Sequence, residues 1–269
     1  MKTGKYMNMT AKNPIAALWL TPPTDLRPRL KTALDQGMER AGGNAILHFR
    51  TDDVAVVGAS LVRLLGMFAS RRVPLAPGLV PAWLTPERWK VLSGIAPSGD
   101  FAWHQHGWRH KNHEQTGQKS EFGSSRPLTE KIDELRRGAE RLHDITDSTS
   151  LPIFTPPWNS LDAETLNALT DLGFQAVSRA TDAEPACPAP LVDIPVHADL
   201  HTRTEPDPET GLTALLMEIE NALAAGTCGA MLRHQRMNPA AFAFLDLFLE
   251  LASRTKGLEL AHLGQLMVR

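Results

Sequence analysis

With 269 residues and 42% hydrophobic side chains, the chain can bury a large core, and α/β barrels of ~200–250 residues commonly form one unit. Charge is nearly balanced, 28 basic against 30 acidic residues, and no Lys/Arg stripe interleaved with aromatics appears, so nucleic acid is not expected as a partner. Met1–Asn13 is polar, and the apolar run Ile15–Leu20 is shorter than the roughly 7–15 residues of a signal peptide or the about 20 of a membrane span. Neither a secretory leader nor a membrane anchor is therefore expected. Cys187 and Cys228 form no CxxC and read as free thiols of a cytoplasmic protein, a single disulfide between them being the alternative.

In chain order, Ala45–Arg50 is a short apolar run that predicts a buried strand, followed by a helix near Ala59–Ser70. Val73–Val80 reads as extended. Thr85-Pro86-Glu87 then supplies a cap, a proline at the first helical position and an early acid. Asp100–His104 predicts another strand, leading into a polar loop from His110 to Arg126. Leu128–Ile145 has helical period, and Leu151–Thr155 is extended up to a Pro-Pro stop. A helix over Asp162–Leu172 ends at Gly173, with strands at Phe174–Ser178 and Val192–His197 on either side of a Pro-rich loop, Glu184–Pro190. Leu212–Ala224 is helical, Cys228–His234 a strand, and Pro239–Ser253 a long amphipathic helix. This βαβα order, without a long linker, predicts one parallel α/β domain over residues 1–269, most simply a barrel.

Chemistry-bearing residues then gather where barrel active sites form. Asp52, Asp53, His106, Thr155 and His234 all fall at or just past C-terminal strand ends. Adjacent strand residues point to opposite faces, so Asp52 and Asp53 can divide two tasks: one binds a metal while the other accepts a proton. The plain alternative is an Asp-Asp turn capping the next helix. In His106-Gly107-Trp108-Arg109-His110 the histidines share a face if the segment is a helical turn; if the strand continues, His104 and His106 share one instead. His113 is a further competitor. Two imidazoles and one carboxylate make a three-ligand set with room for water and substrate, the arithmetic of a hydrolytic metal centre. Phe154–Asn159 joins a rigid Pro-Pro backbone to Trp158, whose flat face suits a sugar ring. His234, ending an apolar strand, suits protonation of a leaving group.

In this order (TDD, HGWRH, FTPPWN, a late LRH) the segments resemble the polysaccharide deacetylase family, the NodB-like carbohydrate esterases, over roughly residues 45–235. The stretch His106–Gly123 is similar to that of a soluble bacterial branch of the family. The resemblance implies a distorted (β/α) barrel and removal of acetyl groups from sugars by a divalent metal, most often Zn2+. It implies that Asp52 is the general base, that Asp53, His106 and His110 bind the metal, and that His234 is the general acid. Pro157, Trp158 and Asn159 are then the expected substrate-binding residues, for a small-molecule or oligosaccharide substrate. Two departures stand out. Val54 replaces the glycine that usually follows the aspartate pair, and Thr155 stands where the family has an arginine orienting the catalytic aspartate. Arg50 or Arg179 are candidates to supply that arginine, and Asp193 or Asp199 to be the aspartate that tunes the general acid. The expected function is a metal-dependent deacetylase. The alternatives are a non-catalytic metal- or glycan-binding member and a hydrolase of another non-peptide C–N bond.

Overall fold

The computed structural model describes residues 14–96 and 99–268, so the polar stretch Met1–Asn13 lies outside the described residues. Two helices, α1 (Ala17–Leu20) and α2 (Leu26–Arg40), precede β1 (Ala45–Val54). Then come α3 (Ala59–Arg71), β2 (Ala76–Leu79), α4 (Pro86–Ile95), β3 (His104–His106), α5 (Leu128–Thr146), β4 (Leu151–Thr155) and α6 (Ala163–Asp171). The chain continues through β5 (Ala176–Val177), β6 (Val192–Asp193), β7 (Ala198–Asp199), α7 (Pro208–Ala224) and β8 (Thr227–Leu232). It closes with α8 (Pro239–Arg254), β9 (Leu258–Ala261) and α9 (Leu263–Leu266).

All ladders are parallel, in the order β6-β5-β4-β3-β2-β1-β8-β7, with β9 on the first half of β1 along the edge that β2 takes further on. No ladder among the described residues joins β6 to β7. The result is the distorted (β/α) barrel that the motif order predicts. β1 carries both layers of the molecule. Its alternate residues Leu47 and Phe49 turn toward the helices, where the Phe49 ring meets Phe68 of α3 at 5.3 Å and Phe248 of α8 at 5.4 Å. The intervening His48, Arg50 and Asp52 are buried on the barrel side. A strand that reads as apolar from outside therefore delivers a polar interior.

Several boundaries differ from the sequence reading. The strand expected at Asp100–His104 pairs only over His104–His106, after a single bridge between Leu75 and Phe101. Val192–His197 is a strand only over Val192–Asp193, with one further bridge from Val196 to Ala180, and the strand expected over Cys228–His234 stops at Leu232, leaving His234 in a 3-10 turn. α2 was masked by Pro28, which sits in the first helical turn, where a missing N–H breaks no intrahelical bond. Thr85 and Asp162 cap α4 and α6 through Arg88 N and Thr165 N.

Candidate metal centre

The two aspartates do not point to opposite faces, as strand alternation predicts. Asp52 keeps the inward phase of His48 and Arg50, but Asp53 adopts a left-handed backbone (φ 62°), and the β1–β2 register shifts between Thr51 and Val54. That bulge turns the second carboxylate back to the same mouth of the barrel. Both then face Arg233, whose Nη1 lies 3.3 Å from Asp53 Oδ2 and Nη2 3.7 Å from Asp52 Oδ2. Val54, in the place of the family's glycine, is fully buried in the outer core, and its carbonyl accepts the Val80 N–H at 3.0 Å. Its side chain takes up no room in the site.

His106 and His110 meet without a helical turn. His106 ends β3, and Gly107 (φ 62°) and His110 (φ 54°) both turn left-handed to fold the loop back. A side chain at Gly107 would strike Glu121 and Pro157, so glycine is needed there for space as well as for its dihedral. Asp53 Oδ1 lies 3.4 Å from His106 Nε2 and 3.0 Å from His110 Nε2, and all three atoms fall within 4.8 Å of one another. Each is buried with no hydrogen-bond partner. Ligands at the ~2.0–2.1 Å of tetrahedral zinc lie about 3.4 Å apart, so the donor set fits a divalent metal in its separations and in its unmet need for a partner.

The tautomers follow from the partners. His106 Nδ1 lies 3.0 Å from the Thr155 carbonyl, which only accepts, so Nδ1 carries the proton and Nε2 presents its lone pair. His104 is removed from the competition: its Nδ1–H donates to Ala102 O at 3.0 Å and its Nε2 accepts from Thr155 Oγ1 at 2.8 Å. Thr155 thus aligns two histidines rather than orienting an aspartate. His113 lies outside the three-ligand group.

Of the two candidate arginines, Arg50 is the one in contact with Asp52. It is fully buried, its Nε 3.0 Å from Asp52 Oδ1 and its Nη2 donating to Asp52 Oδ2 at 3.1 Å. It also donates to the carbonyl and hydroxyl of Ser178, each at 2.9 Å, and to Asn159 Oδ1 at 2.6 Å. Arg179 instead pairs with Asp193 and donates to Pro185 O at 2.7 Å. Burial by itself would raise the Asp52 carboxyl, but Arg50, His106 and Arg233 hold it below the usual carboxylate range. Burial likewise opposes ionisation of Asp53, yet His106 and His110 hold that carboxyl far below the ordinary value.

The remaining expected residues fall around this core. Asn159 is engaged by Arg50, and Pro157 is buried beneath Gly107. Trp158 is half-buried with its ring 4.3 Å from that of His110. His234 is buried, its Nδ1 has no partner, and burial lowers its imidazole to about 4. Asp199 Oδ1 accepts from His201 N and Thr202 N, with Oδ2 3.9 Å from Arg233 Nε. Arg233 and Glu121 were not picked out from sequence as site residues. Buried Glu121 accepts the backbone N–H groups of Trp108, Arg109 and Lys111 at 3.1, 2.7 and 3.4 Å, and so shapes the loop that carries His110. Its one signal was the motif-like run from His106 to Gly123 in which it stands.

Fold and site together define a parallel α/β barrel with an Asp-His-His cluster at the C-terminal mouth of its strands. No protein-family model matches the sequence, and no curated protein does either. Solved structures do match. A candidate polysaccharide deacetylase from Mycobacterium smegmatis superposes with a TM-score of 0.61 at 17% identity, over 84% of this chain and 90% of that one. The carbohydrate esterase family 4 domain of a multidomain xylanase, from the hindgut metagenome of Trinervitermes trinervoides, gives 0.54 at 11% identity, over 84% and 90%. A pseudoenzyme of the same esterase family from Bacillus anthracis gives 0.53 at 13% identity, over 83% and 66%. The chain has the polysaccharide deacetylase fold, as the motif resemblance implied.

Proposed function

We propose that the chain, as one domain, is a divalent-metal-dependent hydrolase that removes acetyl groups from an N-acetylated sugar or a related small substrate, with zinc as the metal. The observation that carries this reading is the convergence of three partnerless ligand atoms, on Asp53, His106 and His110, beside an ionised carboxylate locked by Arg50. A divalent metal held there supplies a Lewis acid for the acetyl carbonyl and for water.

The chain's own residues supply the proton transfers. Asp52 is ionised at neutral pH and fixed by the two-point Arg50 contact, which suits it to take a proton from the attacking water. His234, neutral at pH 7 because it is buried, serves as the proton carrier to the departing nitrogen, delivering there the proton that Asp52 takes from the attacking water. Trp158, half-buried with its ring tilted 53° to that of His110, is the aromatic residue of the site suited to a sugar ring. No helix among the described residues is long and apolar enough to cross a membrane. Cys187 and Cys228 are free thiols, as expected of a cytoplasmic protein acting on a small sugar.

Acetate release from a panel of acetylated sugars, with zinc or cobalt supplied, tests the reading. Turnover in the native chain that is lost in Asp52→Asn supports it; full activity in that variant sinks the assigned base. The second reading, a non-catalytic metal- or glycan-binding protein, is favoured by one feature: Arg233 stands 3.3 Å from Asp53, the anionic ligand, and competes for its charge. Metal and sugar binding without acetate release on any substrate would select that reading. Release of a product other than acetate from other amides would point to a different C–N bond.

A further inference from the structure

Beside the ligand cluster lies a cleft of about 460 Å³ lined by Ala82, Trp83, Trp108, Arg109 and Arg141, with no acidic side chain on its walls. It adjoins the metal site directly. The Trp83 ring lies 6.0 Å from that of His110, and Trp108 and Arg109 belong to the loop between His106 and His110. The Ala82 N–H donates to the Trp108 carbonyl at 3.0 Å, tying that loop to the 3-10 turn Pro81–Trp83.

The two arginines present different kinds of charge. Arg141 is pinned, its Nε donating to Pro81 O at 2.9 Å and its Nη2 to Leu84 O at 2.8 Å, so Nη1 is oriented but has no protein partner among the described residues. Arg109 is exposed, its guanidinium lies 5.8 Å from the centroid of the Trp108 ring, and no carboxylate among the described residues pairs with it. Glu140 and Asp144, together with Arg137, line a neighbouring cleft that shares Trp108 and Arg141 with this one. Aromatic faces suit a sugar ring, and guanidinium forks suit carboxylate or phosphate oxygens.

We propose that this cleft is the subsite for an anionic group, so that the substrate is an acidic N-acylated sugar carrying a carboxylate or a phosphate. The proposal rests on the hydrolase reading for the acyl group, but its own readout is binding. Calorimetry on the zinc-supplied protein compares N-acetylglucosamine with its 6-phosphate and with N-acetylmuramic acid. The expected result is that at least one charged sugar binds roughly tenfold or more tightly than the neutral one, the worth of one hydrogen bond between charged groups. The arm that shows the preference identifies phosphate or carboxylate as the source.

Arg109→Ala should collapse the charged-to-neutral ratio toward one, with Arg109→Lys keeping part of it. Arg141→Gln, judged only if its unfolding curve is native-like, should do the same. Equal binding of charged and neutral sugars, binding of none of them, or a preference that survives Arg109→Ala would overturn the proposal. Acetate release in the same samples separates the two claims. Charge preference without turnover removes the hydrolase and keeps the subsite; turnover without charge preference does the reverse.

Discussion

Asp52 and His110 belong to one site but are held there by different means. Asp52 stands on a ten-residue strand hydrogen-bonded along both edges, and its carboxylate is gripped by an arginine two residues back on the same strand. His110 stands on a loop whose path depends on a left-handed glycine, the carboxylate of Glu121 and a tryptophan against the imidazole. The strand-borne half is fixed by the fold itself, so damage to it should register in stability as well as chemistry. The loop-borne half is fixed by local polar contacts, so damage there should register first in metal affinity.

The sharpest way to break this contrast is at the base. Asp52→Asn keeps the shape and the Arg50 contact but removes the proton acceptor, so acetate release should fall by about 10²–10⁴-fold while zinc binding persists. Arg50→Ala should act on both levels. Removing one partner of a fully buried ion pair costs about 3–5 kcal/mol, and a urea titration should show that loss alongside lost turnover. A variant as stable as the parent would show that Arg50 is not what fixes the strand-borne half. Glu121→Gln should separate the halves the other way. Zinc affinity should drop by roughly 10–100-fold in a competition titration, with a smaller change in the urea midpoint. An unchanged zinc affinity would mean the loop holds its shape without that carboxylate.

The smallest expected effect is one of pH on the framework. Burial lowers His48 to about 3, and His104 and His201 to about 4, so all three are neutral in the folded chain. In the unfolded chain they take up protons below about 6.5. Between about pH 6.5 and 4 the unfolded state therefore binds more protons, so stability is fully present above that window and declines as pH falls through it. Urea midpoints at pH 7.5 and 5 should differ in that direction; a midpoint rising toward pH 5 would contradict the assignment.

How much of this could be read from sequence follows the same division. The barrel was legible because β1, α5, β4 and α8 each carry a clear period and a turn residue at their ends, and the strand ends placed Asp52, Asp53, His106 and His234 near one mouth. What could not be read were departures from period. The bulge at Asp53 violates alternation, and the pairing of His106 with His110 is neither helical nor extended, so spacing could not choose between His104 and His110. Arg50 was legible only as a candidate beside Arg179, because the choice depends on Ser178 and Asn159, far away in sequence, meeting the Arg50 guanidinium. Glu121 stood inside the motif-like run His106–Gly123, but its role could not be read from it, since that role is to accept backbone N–H groups, and any donor segment looks alike in sequence.

The central claim is that Asp53, His106 and His110 share one divalent metal. The most direct measurement is an anomalous-difference map from crystals of the zinc-loaded protein. The account predicts one strong peak within bonding distance of Asp53 Oδ1 and the Nε2 atoms of His106 and His110, and its loss in His110→Ala. Zinc bound elsewhere, or a fully loaded protein with no peak among these three side chains, would contradict it.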